Sequence, residues 1–128
     1  MTEHHMYLRV KELLQKESIM LQRIEQQRVP DLFFRMPERE GWIEFKVIDT
    51  NGFKVKIPFR PGQFAWIKEY TELGGNILLF CIDMNAVLWI TKNCYIVKEY
   101  TIVDFKCLAN PIFWADLTAS ILFNILGG

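Results

Sequence analysis

Residues 76–82, NILLFCI, carry six apolar side chains in unbroken succession after Asn76. A strand with one wet face alternates apolar with polar residues; this run does not, so it needs cover on both faces. That demand restricts the fold to a sheet with layers on either side. The residues before it supply one layer. Arg60-Pro61-Gly62 opens a helix that runs through Gln63, Trp66, Ile67 and Tyr70 to Leu73, where Gly74-Gly75 stops it. At 128 residues, 51% apolar and 14% aromatic, the chain suffices for one packed domain spanning 1–128 without a linker.

Other segments add elements of both periods. Met6, Leu8, Val10, Leu13 and Leu14 make a helical stripe over residues 2–16, with Thr2 as its N-cap. Residues 19–24 read as a strand. VPDLFFRM follows as a second extended piece, because Pro30 biases Val29 away from the helical region. The turn PEREG, residues 37–41, joins it to WIEFKVI in a hairpin with Asp31 near its start and Glu44 in its second arm. DTNG, residues 49–52, is a turn, and FKVKI after it alternates as a short edge strand. AVLWI is the next strand after the apolar run, reached through Asp83-Met84-Asn85. NCYIVKEYTIVDF gives one or two further strands, and a C-terminal helix is expected from about Pro111. This order describes an α/β fold, a central mixed β-sheet flanked by helices.

Several function classes are excluded. Fifteen basic residues balance fifteen acidic ones, which removes any overall electrostatic pull toward nucleic acid. Locally the balance tips: Lys54, Lys56 and Arg60 lie between Lys46 and Lys68 against the single acid Asp49. These three are expected to contact phosphate as a strip, unless the lysines only blunt an exposed strand edge. Cys81, Cys94 and Cys107 form no CxxC pair and have no His at ligand spacing, so neither a disulfide framework nor a zinc site is expected. A reducing, intracellular setting fits, and MTEHH does not read as a signal peptide. Residues 112–126 are the most lipid-like stretch, yet they include Asp116 and fall short of the roughly 20 residues of a membrane span. They are expected to form a buried or interface helix. His4 and His5 are expected in solvent, and Trp66 and Trp89 in the core.

GWIEFKV, residues 41–47, carries the chemistry. In a strand Glu44 and Lys46 share one face, with Ile43, Phe45 and Val47 on the other. The plain alternative is a solvated face with a weak ion pair; the apolar surroundings of residues 42–48 argue against an exposed edge. Asp31 precedes Glu44 by thirteen residues across a turn, so hairpin pairing brings the two to one end of the sheet. Two carboxylates so placed repel unless a hard divalent cation joins them, and Mg²⁺ takes oxygen ligands. The cation would polarise a phosphoryl oxygen and promote ionisation of a water, with Lys46 orienting that water or offsetting charge. The set suits phosphodiester hydrolysis.

RIEQQRVPDLFF, GWIEFKV and FRPGQFAWIKEYTELGGNILLF, in that order, resemble the PD-(D/E)xK nuclease superfamily, and within it the small VRR-NUC-like phage and bacterial nucleases. The resemblance spans residues 23–80. It implies a restriction-endonuclease-like fold and a Mg²⁺- or Mn²⁺-dependent endodeoxyribonuclease. Asp31 and Glu44 would be metal ligands, the Phe45 carbonyl a further ligand and Lys46 the catalytic lysine. An acid from the N-terminal region would complete the site: Glu3, Glu12 or Glu25, with Glu3 favoured. Gln63 would flank the site and contact a phosphate or water, or else serve only as a helix-start residue bonded to backbone. Phe45 replaces the more usual β-branched residue, and only QQR separates Glu25 from Val29-Pro30-Asp31, where a longer glycine-containing loop is usual. Such small nucleases imply a homodimer acting on branched DNA, such as a Holliday junction, in the bacterial cytoplasm. Phe113, Trp114, Ile121, Leu122 and Phe123 are the expected dimer surface. The runner-up is a catalytically inert DNA-binding or protein-interaction module on the same fold.

Overall fold

Three layers form around the apolar run. The computed structural model describes residues 1–83 and 87–127, and all counts below refer to them. Helix α1 (Glu3–Leu14) starts at Thr2, whose hydroxyl accepts the His5 N–H at 3.2 Å, and buries Met6, Val10 and Leu14 as one stripe. Strands β1 (Met20–Arg23), β2 (Leu32–Met36) and β3 (Arg39–Val47) follow as an antiparallel meander. The chain then passes through β4 (Lys54–Lys56) and α2 (Gln63–Glu72) and returns as β5 (Ile77–Ile82), parallel to β3. Strand β6 (Leu88–Lys92) is antiparallel to β5, and β8 (Asn110–Ile112) to β6. The mixed sheet therefore has six strands in the order β1-β2-β3-β5-β6-β8.

All six residues of β5 are buried, as the unbroken apolar run requires. Leu78 and Phe80 join Phe34, Ile43 and Phe45 on the face covered by α1 and α4 (Ala119–Ile125). Ile77, Leu79 and Cys81 join Ile67 of α2 and Phe105 of α3 (Ile102–Leu108) on the opposite face. Each large apolar side chain so buried contributes about 1.5–3 kcal/mol over an exposed one, so β5 fastens both layers to the sheet. Trp66 and Trp89 pack against the second cluster, as expected of core residues. The parallel pairing begins at Gly41: the Trp42 N–H donates to the Asn76 carbonyl at 3.0 Å, and a Cβ on Gly41 would lie 2.2 Å from that oxygen. Only glycine permits that approach.

The C-terminal third departs from expectation. Residues 93–105 contribute one three-residue strand, β7 (Glu99–Thr101), and then a helix: the Thr101 hydroxyl accepts the Asp104 N–H at 3.1 Å and opens α3. FKVKI supplies β4, but in a separate two-stranded ribbon with β7 instead of an edge of the main sheet. No helix starts at Pro111, which lies within β8 at the sheet edge, where a missing N–H is tolerated. A 3₁₀ turn (Trp114–Asp116) follows, and α4 starts only after Thr118, whose hydroxyl accepts the Ile121 N–H at 3.2 Å. Met84 and Asn85 of the expected turn, and Ala86 of the expected strand AVLWI, lie outside the described residues. Among the described residues no helix is long and apolar enough to cross a membrane.

Candidate functional site

The β2–β3 hairpin sets the first two acids. Leu32 pairs with Ile43, so the next residue outward, Asp31, arrives beside Glu44 at the open end of the strands. The two are tied through backbone: the Asp31 N–H donates to Glu44 Oε1 at 3.1 Å, and the Phe45 N–H donates to Asp31 Oδ2 at 3.2 Å. The N-terminus of α1 brings Glu3 to the same place, and one carboxylate oxygen from each of Glu3, Asp31 and Glu44 lies within 4.8 Å of the others. Lys46 Nζ stands 2.9 Å from Glu44 Oε2, with the Phe59 ring 5.6 Å from the ammonium.

Burial turns this cluster into a charged interior. Glu44 is 0% and Lys46 1% exposed, which removes the solvated-face alternative. Burial foremost, and the neighbouring Asp31 carboxylate next, push the Glu44 pKa up to about 8 against the opposing pull of Lys46. Glu44 therefore holds its proton at neutral pH. Glu3 is shifted upward too, by burial first, with Lys46 opposing and Asp31 adding to the shift. Three carboxyl groups, one of them holding its proton at neutral pH, face two cations, Lys46 and Arg60. Such an all-oxygen donor set fits a hard divalent cation, whose entry would displace the Glu44 proton. Cys81, the strand neighbour of Lys46 on β5, is fully buried, and burial raises its thiol pKa further, so it remains an unreactive thiol.

Arg60 stands apart from Lys54 and Lys56. Expected on a phosphate-contacting strip, it lies between the acids, with Nη1 3.5 Å from both Asp31 Oδ1 and Glu44 Oε2. Its Nε donates to the Gln27 carbonyl at 3.0 Å and its Nη2 to the Val29 carbonyl at 3.1 Å. Nothing in residues 54–60 announces this, because the contacts link positions about thirty residues apart. Lys54 and Lys56 sit on the β4–β7 ribbon, and Lys54 pairs with Glu99 at 3.2 Å. Gln63 is buried; its Oε1 accepts the Arg60 N–H at 3.2 Å, and its Nε2 has no partner among the described residues. It thus behaves as a helix-start residue that fixes the Arg60 loop.

Of the alternative acids, Glu25 is exposed and pairs with Arg23 at 3.7 Å, while Glu12 is exposed near the far end of α1. Only Glu3 joins the cluster. His4 is exposed as expected, yet its Nδ1 lies 3.3 Å from Arg23 Nη1 beside the acids. Asp31 lines two clefts, one with Glu3, His4, Tyr7 and Arg23, the other with Gln27 and Arg60. The expected dimer surface is largely interior: Trp114 and Leu122 are core, Ile121 and Phe123 half-buried, and Phe113 alone is exposed, at 76%.

No family model matches the chain, and comparison with curated proteins and with solved structures finds no match either.

Proposed function

We propose that this protein is a Mg²⁺- or Mn²⁺-dependent endodeoxyribonuclease of the PD-(D/E)xK kind, built on a restriction-endonuclease-like fold. One observation carries the reading: a glutamate and a lysine two residues apart are fully buried inside a sheet, beside an aspartate and a second glutamate brought in by other elements. Burying such charges costs several kcal/mol per ion, and apolar residues of similar volume would serve stability as well or better. Function is the better account of their presence. Asp31, Glu44 and Glu3 would hold the cation, with the Phe45 carbonyl a further ligand. When bound, the cation supplies Lewis-acid polarisation of a phosphoryl oxygen and lowers the pKa of a water. Lys46, held by Glu44 and the Phe59 ring, offsets negative charge as the phosphorus centre is attacked. Arg60, with Lys54 and Lys56, would contact the DNA backbone.

Branched DNA cut by a homodimer is the substrate class and assembly we propose. The site itself is tested by cleavage of labelled duplex, single strand, flap and four-way junction with Mg²⁺ or Mn²⁺. Wild type should cut; Asp31→Ala and Lys46→Ala, checked for folding, should lose activity by about 10²-fold or more. Cutting that survives both substitutions would remove the catalytic assignment. A sedimentation profile showing only monomer at micromolar concentration would remove the dimer.

The second reading, an inert DNA-binding or protein-interaction module, is favoured by Arg60: its guanidinium already bridges the two acids that would hold the cation. An inert module gives no Asp31-dependent calorimetric signal with Mn²⁺, whereas the nuclease does.

A further inference from the structure

Asp31 and Glu44 offer four carboxylate oxygens, and each already has a donor. Asp31 Oδ2 takes the Phe45 N–H, and Glu44 Oε1 takes the Asp31 N–H. Each of these two oxygens thus uses one lone pair on backbone. Glu44 Oε2 takes Lys46 at 2.9 Å, and it shares Arg60 Nη1 with Asp31 Oδ1, both at 3.5 Å. A cation bridging the two residues needs one oxygen from each aimed at a common point. Asp31 Oδ1 and Glu44 Oε2, the pair that accepts no backbone N–H, converge on the Arg60 guanidinium. Two like charges do not share such a place in a part-buried setting.

The seating of Arg60 suits a residue that can leave. Its contacts to the acids, at 3.5 Å, are longer than the roughly 2.8 Å of a strong charge-assisted bond. Its firm bonds, at 3.0 and 3.1 Å, go instead to the carbonyls of Gln27 and Val29 in the segment between β1 and β2. The side chain is one-third exposed, and Arg60 lines both the cleft shared with Asp31 and a second cleft containing Phe59, Phe64 and Lys98. Turned outward, the guanidinium would stand beside Lys98 with its planar donor fork free for a phosphodiester.

We propose that Arg60 and a divalent cation exclude one another between Asp31 and Glu44, so that metal entry releases the guanidinium to take a substrate phosphate. The inference rests on the metal-dependent reading of the site, and it makes Arg60 the link between metal loading and DNA binding. In the metal-free protein Arg60 is the internal cation that holds the acids together.

Calorimetric titration of the whole protein with Mn²⁺ tests this, comparing wild type, Arg60→Gln and Arg60→Lys, with thermal melts in EDTA and in saturating Mn²⁺. Removing the competing charge should tighten Mn²⁺ binding by at least about tenfold in Arg60→Gln. In EDTA the same variant should melt below wild type, and Mn²⁺ should raise its melting temperature by more than it raises that of wild type. Arg60→Lys keeps the charge but not the fork that reaches Gln27 and Val29; it should bind Mn²⁺ between the other two and serves should Arg60→Gln not fold. If wild type binds Mn²⁺ and the folded variants bind it equally or more weakly, exclusion is overturned and the nuclease reading stands. Binding by Arg60→Gln but not by wild type supports exclusion and defeats the nuclease reading. Binding by neither defeats both.

Discussion

Glu44 is where burial and charge oppose each other most strongly, and its proton is the measurable result. Below about pH 4.5 the folded and unfolded chains both carry that proton, and the residue leaves stability unchanged. As pH rises from there to about 8 the unfolded chain releases it while the folded one keeps it, so stability falls across this window and the loss is complete above it. The loss is on the order of a few kcal/mol. Urea midpoints measured in EDTA between pH 5 and 9 should decline for wild type and flatten in Glu44→Gln, which keeps the shape and loses the titration. Equal slopes in the two proteins would mean that Glu44 ionises normally. Gln63 gives a second prediction at this scale. Gln63→Leu loses the bond to the Arg60 N–H, about 1 kcal/mol, and removes an unpaired buried donor that costs about 1–3 kcal/mol. The variant should be as stable as wild type or more so, and a clear drop in its melting temperature would show that Nε2 has a partner. The convergence of Asp31, Glu44 and Lys46 was legible from residue order, because strand parity and hairpin pairing act over short separations. Arg60 was not, since its place depends on how a segment after β4 returns to the residues just before β2, which no local pattern encodes.

Elements were legible where one period dominated. The stripe of α1, the RPG opening and double-glycine end of α2, and the apolar run of β5 each specify one structure and adopted it. The C-terminal third mixes signals. Ile102 and Val103 are β-branched and read as strand, but the Thr101 cap three residues before Asp104 decides for helix. Pro111 reads as a helix start, yet an edge strand accommodates it equally well. The β2–β3 turn shows a local misfit that persists: Glu38 adopts φ 66 at the tip of the hairpin that sets the acids. For a residue with a Cβ that conformation costs about 1–2 kcal/mol, part of which glycine regains despite its freer unfolded state. Glu38→Gly should therefore stabilise the protein by about 0.5–1 kcal/mol in urea titration while leaving Mn²⁺ affinity unchanged. A loss of stability would indicate that Glu38 makes contacts outweighing the strain.

At the scale of the whole molecule, neutrality limits how the proposed DNA substrate could be held. With fifteen charges of each sign the chain has no broad field to attract a polyanion, so any binding must come from a few cations gathered at the site. Arg60 and Lys98 line one cleft, Arg23 opens onto the neighbouring ones, and the β4–β7 ribbon carries Lys54 and Lys56. These five cations should release few counterions, giving a plot of log K against log salt with a slope of about −3 to −5, far shallower than strongly basic DNA-binding proteins show. The two ribbon lysines should contribute unequally. Lys54 is already paired with Glu99, so Lys54→Ala removes a charge that is largely compensated. Lys56 stands opposite Glu99 in the ribbon, but the Glu99 carboxylate pairs with Lys54, and Lys56→Ala should reduce the slope by about 1. Binding measured by fluorescence anisotropy on four-way junction DNA from 50 to 300 mM salt resolves that difference. If both variants keep the wild-type slope, the ribbon lies outside the DNA interface and its lysines serve only to blunt a strand edge; if only Lys56→Ala flattens it, the phosphate path runs from the acids along the ribbon.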